Sequence, residues 1–367
     1  MKKSLFIVRA PFQILSAVEA QYHFKVTNSV IIYIENRDEH DNNICRSALD
    51  LFKLKAKNHK IEIITLEKCD KKGKFRTSLD FAKDIKERFQ SEVFENVFVG
   101  DIFSTDRKFI QQILALNVQK ENLILLEDGL KTSLEYFDKF YKYYNRDINH
   151  SFPYKFGHKF KLFLWRLFKF NTKLSDKIRV FSFVNLADNF QNANIEIVKN
   201  RFKFFGHLIN EHYFVKDYHD FYFIGSVKLE IWKMNEEAFV KMMEKVYEVA
   251  SNTDEVKNIY YIPHRNCSEK TFEIVEKIGF KIKKFTKPIE LEFFEKRVNP
   301  IYIATTTSTA ILSLKSIFSI PNKNSLIFKV PESHIIEKNR DALKITYQKL
   351  ANENLKIVDL DFDEEKV

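Results

Sequence analysis

The sequence predicts an α/β protein of two units, each a parallel sheet covered by helices, facing a central cleft. Three observations carry this. Short apolar β-type runs alternate with helical patterns along the chain, which is the signature of parallel strands buried on both faces. The 367 residues are long for one core and natural for two. The alternation also stops in a poorly patterned stretch and then starts again, dividing the chain into 1–200 and 201–367.

In the first unit the strand-like runs are Leu5–Val8, Val30–Ile34, Ile61–Thr65, Val97–Gly100 and Leu123–Leu126. A helix running to about Ala20 follows the first of them. Pro11 sits near its start, where a missing N–H leaves nothing unpaired. Further helical patterns lie near Cys45–Leu54, Ser78–Gln90 and Arg107–Leu116. The fifth run ends in Glu127-Asp128-Gly129. Adjacent carboxylates at a strand end, with glycine for a tight turn, can supply a general base. The plainer reading is an ordinary solvated turn.

The second unit starts with the strand Phe221–Ile224, which ends at Gly225-Ser226, and a helix over Glu236–Val249. Ile259–Ile262 then delivers Pro263 and His264 to a loop, before a helix from Ser268 to Ile278 and a short strand, Phe280–Phe285. A loop Pro288-Ile289-Glu290 precedes the strand Ile301–Ala304, which opens into a Thr/Ser cluster, Thr305–Thr309, and a helix. Ser316–Ile320 and Leu326–Val330 read as strands, Ile335–Asn352 as a helix and Lys356–Leu360 as a last strand. One histidine, one glutamate and several hydroxyls thus lie just past strand ends, the edge where open α/β sheets bind ligands. Hydroxyls and open N–H groups at a helix start suit a phosphate. Each residue has a plainer rival: a surface histidine, an N-cap hydroxyl, an exposed glutamate.

Composition narrows the classes. Hydrophobic residues make up 45% and charged residues 30%, which is globular rather than disordered. A net charge of +10 favours an anionic partner without choosing among them. The cysteines Cys45, Cys69 and Cys267 are far apart and match no metal spacing, so a reducing cytoplasm is the simplest setting. Arg9 and Gln13 interrupt the first apolar run too early for a signal peptide, and no run approaches the roughly 20 residues of a membrane span. In Lys155–Arg179, Phe160, Leu164, Leu167 and Phe168 share a helical face, with Lys161, Arg166 and Lys169 interleaved. That pattern suits an interfacial helix on an anionic membrane and equally a core-facing helix with snorkelling lysines. No nucleic-acid motif accompanies the charge.

Two such units around a cleft describe the GT-B glycosyltransferase architecture, with two Rossmann-like domains. Sugar transfer needs a base for the acceptor hydroxyl, donors for the leaving phosphate and a hold on the nucleoside. Glu127 or Asp128 can supply the first, His264 and the hydroxyls around Ser308 the second, and Glu290 the third. No DxD motif sits on an internal strand end, since Asp361-Phe362-Asp363 lies in an acidic tail. That points to chemistry without a metal.

The order Glu127-Asp128-Gly129, Ile262-Pro263-His264, Pro288-Ile289-Glu290 and Ser308-Thr309-Ala310 resembles the bacterial GT-B sialyltransferases. It is most similar to the lipooligosaccharide group (glycosyltransferase family 52), with the bacterial polysialyltransferases as relatives. The opening IVRAPFQILSAVEA is also similar to that group, so the resemblance runs from residue 5 to about residue 312. It implies CMP-sialic acid as donor, a glycan acceptor and inversion at the anomeric carbon. It also implies a base at Glu127 or Asp128, with a lean to Glu127, and His264 on the departing phosphate. Ser308 and Thr309 would hold that phosphate, Glu290 the nucleoside, and Gly225, Ser226 and Thr307 would complete the donor site. Arg265 stands where the group has proline, and as a second phosphate ligand it leaves the histidine's part intact. A donor such as CMP-Kdo or a UDP-hexose, or a non-catalytic polysaccharide- or membrane-binding protein, are the alternatives. The implied place is the cytoplasm, with peripheral attachment to the inner membrane face. The sequence leaves a homodimer open.

Overall fold

The computed structural model describes residues 2–36, 38–53, 59–67, 78–100, 109–127, 178–184, 195–226, 234, 236–264, 267–330 and 334–360. Asp128, Arg265, the segment 155–177 and the acidic tail lie outside them. The chain divides into two compact units, Met1–Phe204 and Phe205–Val367.

The first unit holds β1 (Lys3–Val8), β2 (Asn28–Ile34), β3 (Lys60–Leu66), β4 (Val93–Val99), β5 (Gln119–Leu126), β6 (Ile178–Ser182) and β7 (Ile195–Lys199). They form one sheet in the order β3-β2-β1-β4-β5-β6-β7, and every neighbouring pair is parallel. Its helices are α1 (Pro11–His23), α2 (Glu39–Leu49), α3 (Ser78–Arg88) and α4 (Phe109–Asn117). Central strands are buried on both faces, which is why Leu5–Val8 and Val30–Ile34 read as unbroken apolar runs. Across β1 and β4 the rings of Phe6 and Phe98 stack at 4.4 Å. The edge strand β3 has one covered face only, so its sequence KIEIITL mixes charge with apolar residues. The basic segment's last two residues, Ile178 and Arg179, belong to β6.

The second unit begins inside α5 (Lys203–Glu211) and continues with β8 (Val215–Ile224), α6 (Glu236–Ser251), β9 (Asn258–Ile262), α7 (Glu269–Ile278) and β10 (Lys281–Ile282). It then runs through α8 (Ile289–Glu295), β11 (Val298–Thr305), α9 (Ala310–Phe318), β12 (Ser325–Lys329), α10 (Glu337–Ala351) and β13 (Lys356–Asp359). The sheet order is β10-β9-β8-β11-β12-β13, again all parallel. Numbered from β8, this is the doubly wound order 3-2-1-4-5-6. The chain is therefore an α/β protein of two Rossmann-like units.

Three expectations are corrected. β8 and β11 start earlier than their apolar cores, because the exposed start of β8, Val215–Asp217, pairs with Val298–Pro300. Pro300 has no N–H to give, and the register shifts between it and Tyr302, the kind of irregularity where a strand tolerates proline. Ser316–Ile320 is no strand: α9 runs to Phe318, with Ile311, Leu314 and Ile317 buried at helical spacing. A short apolar run leaves that choice undetermined. Pro288-Ile289-Glu290 is not an open loop either, because Pro288 is the N-cap of α8.

Candidate active site

In a doubly wound sheet the crevice lies past the carboxyl ends of the strands, where the winding reverses. In the second unit that point is between β8 and β11. β8 ends at Gly225-Ser226, and the chain after β11 runs through Thr306, Thr307 and Ser308 into α9. The hydroxyls of Ser226 and Thr307 meet at 2.7 Å, bridging residues 81 positions apart. Thr305 Oγ1 donates to the Ile224 carbonyl at 2.8 Å and accepts from the Ser308 N–H at 2.9 Å, so one hydroxyl ties the strand end to the loop. The Thr306 hydroxyl is buried and has no hydrogen-bond partner among the described residues. Thr309 is the N-cap of α9, and its side chain makes no capping bond. The first N–H groups of α9 therefore lack the usual side-chain acceptor.

Gly225 has no room for a side chain. A Cβ there would lie 2.5 Å from the Tyr261 hydroxyl and 3.1 Å from the Ile262 carbonyl oxygen. The Gly225 N–H donates to that same carbonyl at 2.8 Å. β8 and β9 thus stay close past their ends, which sets His264 one strand away from Ser226. His264 is exposed on the loop between Ile262 and α7, and its carbonyl accepts from Cys267 N at 2.9 Å.

Glu290 departs from its expected place. It lies in the first turn of α8 at 6% exposure, and the Ser313 hydroxyl of α9 donates to its Oε1. Burial pushes its carboxyl up, and the Ser313 bond opposes this only in part. Two residues on, Glu292 behaves in the opposite way. Burial alone would push it up too, but Lys296 and the Thr286 and Lys287 N–H groups outweigh burial and hold its carboxyl below the ordinary range. Glu292 fastens the loop before α8, with Oε1 accepting from Thr286 N at 2.9 Å and Lys287 N at 3.1 Å.

The first unit's carboxyl edge is organised differently. Glu127, the residue after β5, is 1% exposed. Its Oε2 accepts from the Ser182 hydroxyl and, at 3.0 Å, from Phe183 N, while its carbonyl accepts from Ser16 Oγ at 3.0 Å. A carboxylate so enclosed fixes the turn after β5 to β6 and α1. At this unit's own reversal point, between β1 and β4, Gln13 Oε1 accepts from Arg9 N at 2.9 Å and Gln111 Nε2 at 3.0 Å. A Cβ at Gly100 would sit 2.2 Å from the Gln13 side chain, so a larger residue there would displace the glutamine. Arg9 Nε donates to Asn36 Oδ1 at 2.7 Å. Ser182 and Asn36 stand at strand ends and Gln13 and Gln111 in the first turns of α1 and α4, and no site motif marks them.

The chain thus holds two doubly wound units, with hydroxyls and an uncapped helix start at the reversal point of the second. Neither a protein-family model nor a curated protein matches the sequence. Among solved structures the chain is similar to a sialyltransferase from Photobacterium damselae, at 11% identity over 97% of this chain and 100% of that one, with TM-score 0.44. It is also similar to a Photobacterium 2,6-sialyltransferase solved with CMP and lactose (13% identity, 97% and 78% of the chains, TM-score 0.47). A UDP-GlcNAc 2-epimerase from Methanocaldococcus jannaschii scores alike (15%, 98% and 89%, TM-score 0.48). Likeness at these scores bears on neither substrate nor residue roles. The architecture rests on the strand orders themselves.

Proposed function

We propose that the chain is an inverting, metal-independent glycosyltransferase. It moves sialic acid from CMP-sialic acid to a glycan hydroxyl, in bacterial lipooligosaccharide or capsule synthesis. The observation that carries this reading is the hydroxyl pair Ser226–Thr307 at the second unit's reversal point, beside the uncapped start of α9 and one strand from His264. That is a seat for a phosphate leaving group.

In this reading the acceptor hydroxyl passes its proton to the Asp128 carboxylate as its oxygen bonds to the anomeric carbon. The bond from that carbon to the phosphate oxygen breaks, and its electron pair departs on CMP. Ser226, Thr307, Ser308, Thr309 and the α9 amides stabilise the phosphate, and His264 and Arg265 offset its charge. Donors already aimed at a developing charge need no reorganisation during the reaction. Glu127 positions the turn that carries Asp128, and Glu290 positions α9 through Ser313. Lys155–Arg179 places the enzyme on the anionic inner membrane surface.

The test is CMP release from CMP-sialic acid with EDTA present, beside CMP-Kdo and a UDP-hexose as rival donors. Release from CMP-sialic acid that disappears in His264→Ala is the expected result. Faster turnover of either rival, or a strict need for a divalent ion, would overturn the donor assignment. No turnover of any donor would return the chain to a binding role.

A further inference from the structure

The second unit carries a cavity at the opposite edge of its sheet, among the amino ends of β8 and β11. Its volume is about 530 Å³, within the range of small-molecule sites. None of its lining residues belongs to the candidate active site. α5 supplies one wall, and the C-terminal turn of α9 with the 3-10 turn Asn322–Asn324 supplies another.

The chemistry of the lining is mixed in a specific way. Lys216 and Lys323 are exposed at the cavity, and neither makes an ion pair among the described residues. Two ammonium groups call for an anionic group. Glu255 also lines the cavity, so a bare anion is not matched to the whole wall: a carboxylate accepts only from donors such as hydroxyls. Asn299, in β11 beside Lys216 of β8, is buried at 9% exposure, and its Oδ1 has no hydrogen-bond partner among the described residues. A buried acceptor left unserved is unfavourable, so it marks the place of a missing donor. Tyr218 and Tyr302 add ring faces, against which the C–H face of a sugar packs.

We propose that this cavity is a second ligand site, built for a small phosphorylated sugar. The phosphate sits on Lys216 and Lys323, hydroxyls donate to Asn299 and Glu255, and the ring lies against the tyrosines. Because the site is at the amino edge of the sheet, its ligand does not compete with one at the carboxyl edge. The inference stands whether or not the chain uses CMP-sialic acid.

Titration calorimetry of the full chain tests it, with glucose 1-phosphate as probe and glucose and inorganic phosphate as separate arms. The expected dissociation constant for glucose 1-phosphate is about 1 mM or below, with each fragment roughly tenfold weaker or more. Lys216→Ala with Lys323→Ala, at exposed positions whose loss leaves the core intact, should weaken the probe by roughly tenfold or more. Asn299→Leu should weaken it as well, and excess CMP should not displace it. Absence of binding at about 10 mM, or equal affinity in the double lysine variant, overturns the proposal. Inorganic phosphate binding as well as the sugar phosphate reduces the site to an adventitious ion only and overturns it too, as does displacement by CMP.

Discussion

The two units share a strand order and differ at the edge where that order places ligands. In the first, the described residues at the carboxyl edge are polar groups bound to one another: Gln13 with Gln111 and Arg9, Arg9 with Asn36, Glu127 with Ser182 and Phe183. In the second, the corresponding edge holds hydroxyls, an exposed histidine and a helix start that no side chain caps. A bonded network of this kind holds a turn rigidly. An edge whose donors lack acceptors can offer them to a ligand. In the proposed reading one scaffold thus yields a clamp in one unit and a receptor in the other.

Removing the group the clamp carries should have the largest effect. Asp128→Ala is expected to lower sugar transfer by about 10² to 10⁴, with CMP affinity in calorimetry near that of the native protein. Loss of CMP binding in this variant, or full transfer, would break the division between the two edges.

Next comes the clamp itself. Glu127→Ala leaves the Phe183 N–H without its acceptor and the Ser182 hydroxyl with only the Val184 carbonyl at 3.2 Å. A buried group left unserved costs about 1–3 kcal/mol, so urea unfolding should show a loss of about that size. Glu127→Gln keeps an acceptor oxygen and should lose less. A fully stable Glu127→Ala protein would show that the carboxylate is not a fixture.

On the receptor side, Ser308→Ala with Thr309→Ala should weaken CMP by about 1–3 kcal/mol and leave urea stability nearly unchanged. The reverse pattern, stability lost and CMP affinity kept, would make the loop a clamp as well.

The smallest effect is in pH and separates the two glutamates of α8. The raised carboxyl of Glu290 means the folded state binds the proton more tightly than the unfolded one. Its stability contribution is complete below the unfolded value and is lost as pH rises through the folded value. Glu292 is depressed, so its contribution is present above the unfolded value and is lost as pH falls through the folded value. Relative to Glu290→Gln, the native protein should lose melting temperature as pH rises from the ordinary carboxylate range. Relative to Glu292→Gln, it should lose its advantage as pH falls below that range. Each displaced pKa unit corresponds to about 1.4 kcal/mol. Identical pH profiles for the two variants would refute the assignment.

Much of this molecule was legible before any coordinates. Parallel strands buried on both faces must be apolar throughout, so Leu5–Val8, Val30–Ile34 and Leu123–Leu126 announced themselves, as did the motifs at their ends. Where burial is one-sided or partial, the pattern thins: β6, β7 and the polar start of β8 carry no unbroken apolar run, and the end of α9 reads as a strand. Local sequence determined which residues stand past strand ends, because periodicity and turn chemistry are local. The tertiary structure decided which of those residues meet. Ser226 and Thr307 are 81 positions apart and touch only because β11 is inserted beside β8 rather than beside β10. Glu127 and Glu290 are both acids near strand ends, and in sequence either passes for an open carboxylate. Both are buried, and each accepts from a serine that distant chain supplies, Ser182 on a neighbouring strand and Ser313 on a neighbouring helix. A carboxylate's availability is set by the groups that desolvate and bind it, and those come from distant chain.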